Sequence, residues 1–253
     1  MGENLSFLAI SFLLLSLLSA NEDKSIFILA GQSNMSGRAR DYNNTKPPEF
    51  HPNPQILMFD ANQRWVTAKD PLHLGIDVGR PVGFGPGIPF ANALLEWDPC
   101  IGTIGLVPCA HGETFLSDWS KGTPHYNQLV IRSNASSEAG GRIRAMLWYQ
   151  GENDSLTLQN AQLYRGRLEK FITDFRADIG MPDLPVFVVV LASGLGKYKD
   201  KIREAQMGIK LRNVITVDGK GAEVKPLDVV HLSLAGAIDI GKRLASAFLY
   251  ANL

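Results

Sequence analysis

Apolar positions along this chain fall into short dense runs separated by longer stretches with helical spacing. Residues 25–30 read Ser-Ile-Phe-Ile-Leu-Ala, a run too short for a helix and apolar on both sides, which predicts a fully buried strand. It runs into Gly31-Gln32-Ser33-Asn34, where Gly31 permits a sharp turn. Comparable runs predict strands at residues 55–59, 101–107, 143–149, 185–191 and 213–217, with residues 60–65 turning the second one back as a hairpin. Helical spacing marks 88–97 (Phe90, Leu94, Leu95), 124–139, 158–178 (Leu163, Leu168, Phe171, Ile172, Phe175), 197–210 (Ile202, Ala205, Ile209) and 233–249. Strand and helix alternate throughout, which predicts a parallel sheet with helices on both faces. No internal repeat or low-complexity segment interrupts the order.

Two stretches lie outside that alternation. Residues 39–54 are a polar, Pro-containing loop. Residues 67–88 concentrate Gly and Pro and include Gly83-Phe84-Gly85-Pro86-Gly87. That cluster does not follow a strand and Pro86 interrupts it, so it predicts the rim of a pocket, not a phosphate cradle. The charge run in 197–210 reads as the solvated face of its helix.

A chain of 253 residues can bury one sizeable core. Hydrophobic residues at 45% and charged residues at 20% describe an ordinary globular protein. Lys+Arg and Asp+Glu both number 25, so bulk charge gives no reason to expect nucleic acid as a partner. The apolar run from Leu5 to Leu18, followed by Ser19-Ala20 and the polar Asn21-Glu22-Asp23-Lys24, has the length of a signal-peptide core. It falls short of the roughly 20 residues that span a bilayer. The expected organisation is a signal peptide at 1–20 and a single domain at 21–253. The product is then secreted to the extracellular space or cell wall, with no stable membrane insertion after cleavage. Its n-region carries Glu3 and no Lys or Arg, which is atypical.

Secretion agrees with the sequons Asn43-Asn44-Thr45 and Asn134-Ala135-Ser136. Two more, Asn34-Met35-Ser36 and Asn153-Asp154-Ser155, lie in candidate site segments and are expected to be bare. Secretion would also permit a Cys100–Cys109 bridge. The intervening run reads as a strand, and at about 3.3 Å per residue its ends lie far beyond the roughly 7 Å limit for a disulfide. Two buried free thiols are therefore expected.

The residues able to carry chemistry sit at predicted strand ends. A serine at the carboxyl end of a strand in an open parallel sheet stands where ligands collect. Its hydroxyl is then exposed and its backbone N–H is aimed at a developing oxyanion; serine is also a favoured helix N-cap. Near the other terminus, Asp228-Val229-Val230-His231 can bend in a loop so that the carboxylate accepts from His231 Nδ1–H and leaves Nε2 free to take a proton. His51 and His73 lie in Pro-flanked loops and His125 at a helix start, and His111, at a strand end, is the main rival. There is no HExxH or paired-Cys motif, so no metal site is expected. For acyl transfer, oxyanion donors would be the N–H groups of Ser33 and Gly112, with Gln150 or Asn153 supplying a side-chain amide.

Together Gly31-Gln32-Ser33, the Gly112 segment, Gly151-Glu152-Asn153-Asp154 and Asp228-x-x-His231 resemble the four blocks of the SGNH (GDSL-like) hydrolases. More narrowly, Gly31-Gln32-Ser33-Asn34-Met35, Trp148-Tyr149-Gln150-Gly151-Glu152 and Asp228-x-x-His231 resemble the sialate O-acetylesterase / carbohydrate esterase family 6 group, plant carbohydrate esterases included. The likeness covers about residues 24–250. It implies a three-layer α/β/α sandwich with a central parallel sheet, and deacetylation of O-acetylated carbohydrate without metal or organic cofactor, by a monomer. It further implies Ser33 as nucleophile, His231 as base then acid, Asp228 as the group orienting it, and Gln150 ahead of Asn153 as amide donor. Glu152 is read as a buried hydrogen-bonding scaffold residue.

The family's small-Gly-Gly-Thr segment is here Ala110-His111-Gly112-Glu113-Thr114. That departure puts the Gly112 donor in question and is expected to narrow the pocket. Alternatives from other classes are a glycan-binding protein with an impaired site and a sugar O-acetyltransferase. A lipid esterase is less favoured, because no long apolar lid segment follows residue 20.

Overall fold

The computed structural model describes residues 24–40 and 46–251. The predicted signal peptide and the Asn43 sequon lie outside the described residues. Strand β1 (Ser25–Gly31) is buried along its whole length and lies between β4 (Ile104–Pro108) and β5 (Arg142–Tyr149), parallel to both. Outward from β4 come β2 (Ile56–Phe59) and the antiparallel edge strand β3 (Trp65–Thr67). Outward from β5 come β6 (Val186–Val190) and β7 (Val214–Asp218), both parallel. The sheet order is β3-β2-β4-β1-β5-β6-β7, so the chain reverses direction across the sheet on either side of β1. Such a switch point opens a crevice at the carboxyl ends of the strands.

Side chains alternate across the sheet, which decides what each helix covers. Phe27 points to one face. Its ring meets Phe90 of α2 (Gly87–Trp97) edge-on at 4.9 Å and Phe248 of α6 (Leu234–Tyr250) at 5.0 Å. Trp148, in register with Ala30, points to the other face. It meets Phe171 of α4 (Leu158–Asp178) at 4.6 Å and Trp119 at 5.3 Å. Tyr126 of α3 (Pro124–Glu138) joins Phe171 there at 6.2 Å. Edge-to-face pairs of this kind add about 0.5–1.5 kcal/mol each beyond burial. With α5 (Lys199–Met207) beside α4, the result is the expected α/β/α sandwich.

Four local expectations are corrected. The strand expected from 101 starts at Ile104, because Pro99–Ile101 forms a turn whose first N–H, from Cys100, is accepted by Asp98. Both cysteines are free, but Cys100 is exposed on that turn and only Cys109 is buried. On α4 the inward stripe is Ala161, Tyr164, Leu168, Phe171, Ile172 and Phe175, leaving Leu163 at 44% exposure one position out of phase.

The fourth correction concerns the carboxyl-terminal motif. Asp228 to Leu232 is not a loop but strand β9, paired antiparallel with β8 (Val224–Lys225) in a small hairpin separate from the main sheet. Its residues alternate as a strand requires. Val230 and Leu232 are buried, while Val229 faces solvent and His231 is half-buried. Ser233 then caps α6 by accepting from Gly236 N at 3.1 Å.

Candidate active site

The turn that delivers Ser33 is built by close backbone approach. Gly31 adopts φ +126°, and a Cβ there would stand 2.1 Å from the Tyr149 carbonyl oxygen. Gln32 N donates to that same carbonyl at 2.8 Å, and His111 N donates to Gly31 O at 2.9 Å. The turn is thus tied to the strand ends on both sides. The short helix α1 (Ser33–Ser36) follows, with Gln32 rather than Ser33 at its N-cap. No acceptor among the described residues takes the Ser33 N–H.

The Ser33 hydroxyl is turned toward the hairpin instead. Its Oγ lies 3.0 Å from His231 Nε2, and His231 Nδ1 lies 2.6 Å from Asp228 Oδ2. With Nδ1–H donating to the carboxylate, Nε2 is left to accept from the serine. Asp228 Oδ1 accepts from the backbone N–H groups of Val230 and His231 at 3.2 and 3.1 Å. Partial burial pushes the Asp228 carboxyl up, but hydrogen bonds from Lys225 and His231 outweigh it and hold the group well below the usual carboxylate range.

Asn34 joins the two halves, a role the sequence reading did not assign. Its Nδ2 donates to Glu152 Oε1 at 2.7 Å and to Val230 O at 3.1 Å, while its Oδ1 accepts from Leu232 N at 2.9 Å. Ser193 Oγ donates to the same Val230 carbonyl. The backbone on both sides of His231 is therefore fixed by the residue next to Ser33. The signal was adjacency alone: an amide beside the serine in Gly-Gln-Ser-Asn. Glu152 is fully buried, as expected of a scaffold residue, and burial raises its carboxyl to about 7; its Oε2 has no partner among the described residues.

The oxyanion candidates part company. Gln150 is fully buried, and its Nε2 points inward to Asp154 Oδ2 (2.7 Å), Thr114 O (3.0 Å) and Gln32 Oε1 (3.2 Å). It does not line the cavity beside Ser33. Asn153 does line it, donating one amide hydrogen to Glu113 O at 2.7 Å and keeping the other. Geometry therefore reverses the expected order of Gln150 and Asn153, because the buried acid Asp154 draws the Gln150 amide inward.

The Gly112 N–H is occupied. It donates at 3.1 Å to Asp77 Oδ2, which also accepts from Ser36 Oγ and Arg38 Nη2, each at 2.7 Å. Burial pushes Asp77 up, and these donors bring it below its ordinary value. A Cβ at 112 would stand 2.3 Å from Arg38 Nη2, so a larger residue there would require the Arg38 side chain to shift. Nothing in the spacing of the Gly/Pro-rich loop marked Asp77.

A cavity of about 350 Å³ opens over Ser33 and His231, walled by Arg38, Arg80, Glu113 and Lys225. Arg80 and Pro81 supply the rim expected from the glycine-rich loop, whereas Gly83 and Gly85 pack against the backbone of 35–39. His111, expected to narrow the pocket, instead packs against His125 at 4.3 Å. Burial and His125 pull it down to about 4. Burial takes His73 to about 3, so it stays neutral beneath the site. The Asn34 and Asn153 sequons are both buried, and Asn134 is exposed on α3. Among the described residues no group of three or more His, Cys, Asp or Glu side chains is placed to hold a metal ion, and no helix is long and apolar enough to cross a membrane.

A probable carbohydrate esterase of Arabidopsis thaliana is 45% identical over 237 residues, covering 88% of this chain and 90% of that one. The crystal structure of that Arabidopsis protein superposes with a TM-score of 0.85 at 42% identity, over 90% of this chain and 98% of its own. A carbohydrate acetylesterase from Xanthomonas citri shares the fold at 22% identity, with a TM-score of 0.64 over 88% of this chain and 55% of that one. Residues 23–250 match the model of a single family, so the blocks that meet around Ser33 and His231 belong to a chain that is a member of the carbohydrate esterase, sialic acid-specific acetylesterase family.

Proposed function

We propose that this esterase is a secreted, monomeric serine hydrolase that removes O-acetyl groups from acetylated sugars or cell-wall polysaccharide through an acyl-enzyme. The observation that carries the reading is the relay in which His231 Nε2 lies 3.0 Å from Ser33 Oγ and Nδ1 lies 2.6 Å from Asp228. Ser33 Oγ attacks the acetyl carbonyl as His231 takes its proton, and Asp228 stabilises the imidazolium. The oxyanion is met by the uncommitted Ser33 N–H and the spare amide hydrogen of Asn153. His231 then returns its proton to the departing sugar hydroxyl. Water, deprotonated by the same imidazole, releases acetate and restores Ser33.

A second reading, a glycan-binding protein with an impaired site, is favoured by one observation. The Gly112 N–H is donated to Asp77 rather than left open to an oxyanion. Acetate release from acetylated xylan, pectin and sialosides decides between them, with an added acceptor sugar to detect transfer to a hydroxyl. Hydrolysis is expected, and Ser33→Ala should lower kcat by roughly four to six orders of magnitude while leaving the fold intact. Binding without acetate release by the parent protein, or unchanged turnover in Ser33→Ala, rejects the proposal.

A further inference from the structure

One oxygen of Asp228 serves two partners. His231 Nδ1 approaches Oδ2 at 2.6 Å and Lys225 Nζ approaches it at 2.8 Å. The hairpin itself produces this meeting, because Lys225 and Asp228 are cross-strand partners at the closed end of β8 and β9. The Lys225 side chain is only 19% exposed and lines the same cavity as Ser33 and His231. Its ammonium is thus held beside the reacting groups and is not a loose surface charge.

We infer that Lys225 is a positioning residue of the hydrolytic site, fixing the Asp228 carboxylate and setting a permanent positive charge beside the imidazole that must gain and lose a proton. This rests on the reading of Ser33, His231 and Asp228 as a catalytic relay. An unshared carboxylate would favour the imidazolium with its whole charge; here the ammonium offsets part of it. Relative to a site without it, the ammonium destabilises the imidazolium, which then gives its proton to the leaving oxygen more readily.

Other charged groups face the same space. They are Glu152, reached through Asn34, and Arg38, Arg40, Arg80 and Glu113 around the cavity. All are common to any variant at position 225, so a difference between such variants reports the ammonium alone.

The test is the pH dependence of kcat/KM on a simple acetate ester, with NMR titration of the His231 ring protons in the same intact proteins. Parent, Lys225→Met and Lys225→Arg are compared. Two charges about 5 Å apart in a partly open site shift a titration by roughly 0.5–2 pH units. Lys225→Met is expected to move the acid limb and the ring-proton midpoint upward by that amount and to lower kcat several-fold with little change in KM. Lys225→Arg should hold both near the parent. An unmoved or downward limb in Lys225→Met, or the same upward shift in Lys225→Arg, overturns the inference.

Lys225→Gln replaces Lys225→Met if the latter does not fold. The ring-proton titration gives its answer even without turnover. Turnover surviving in Ser33→Ala removes the relay reading. An inactive Ser33→Ala with an unmoved Lys225→Met limb removes only the role of Lys225.

Discussion

Ser33 and His231 reach the same 3.0 Å contact from two very different supports. Ser33 follows a strand whose seven residues are all buried, at the centre of the sheet, with the turn tied to neighbouring strand ends by backbone hydrogen bonds. His231 rides on a two-stranded hairpin outside that sheet, whose tip residues Leu227 and Val229 lie open to solvent. An isolated hairpin is marginal in water. This one is seated by polar contacts from Asn34 and Ser193 and by the buried side chains of Val230 and Leu232. The comparison teaches that Ser33 is set by the core, whereas His231 is set by docking. Local stability across the site is therefore expected to be uneven.

The largest effect should come from cutting the lock between the two regions. Asn34→Ala strands the Leu232 N–H and Glu152 Oε1, at a cost of about 1–3 kcal/mol for each buried group left unpaired, while the Val230 carbonyl keeps only Ser193 Oγ. Ester turnover is expected to fall by roughly a hundredfold or more, because His231 loses its fixed place. Native-state hydrogen exchange should speed up at Val230 and Leu232 while β1 stays protected. Equal loss of protection in β1 would mean that the two regions are one cooperative unit.

Glu152 sharpens the same contrast through pH. Burial raises its carboxyl to about 7 in the folded protein, above the value of about 4.3 for an unfolded chain. The folded state therefore binds the proton more tightly, so the stability this group contributes is full below about pH 4 and is lost as pH rises through 7. Asp154, raised to about 6 by burial, acts with the same sign. Glu152→Gln keeps an oxygen for Asn34 and removes the ionisation. Urea unfolding at pH 5 and pH 8 should show the parent's decline reduced by up to about 3 kcal/mol in the variant. An identical decline in both proteins would place the titration elsewhere.

The smallest effect is expected at the cavity rim. Glu113 holds φ +63°, a left-handed conformation that costs a non-glycine residue about 1 kcal/mol, and its ion pair with Arg80 is 63% exposed on both sides. Exposed pairs of this kind contribute about 0–1 kcal/mol. After the extra unfolded-state entropy of glycine, Glu113→Gly should raise stability by about 0.5 kcal/mol in thermal unfolding. A loss above about 1 kcal/mol would show that the Arg80–Glu113 clip holds the rim as Asn34 holds the hairpin.

Much of the scaffold was legible because its cause is local. The run before Gly31 is apolar on both faces and so had to be a central strand, and the spacing of Phe171, Ile172 and Phe175 fixed a buried helix face. Ser33, Asp228 and His231 could be singled out only together: neither a serine at a strand end nor an Asp-x-x-His is specific alone, since Asp70-Pro71-Leu72-His73 is another, but the blocks in order resemble those of a known family. The hairpin was not read: Asp228 to His231 was expected as a loop, although Val230 and Leu232 are buried in alternation with Val229 and His231.

Partner choice among groups of similar chemistry was decided by the tertiary structure alone. The sequence offered Gln150 ahead of Asn153 as the amide donor, and only the placement of Asp154 turned Gln150 inward and left Asn153 in the cavity. It put the Gly112 donor in question on account of His111 and Glu113, but the group that occupies it is Asp77, arriving from 35 residues upstream. Nor did it mark Asn34 as the bridge to a strand 196 residues away. Burial and periodicity are properties of a segment and survive in the one-dimensional chain. Which acceptor a hydrogen meets depends on ångström distances between segments, and those exist only once the sheet has brought them together.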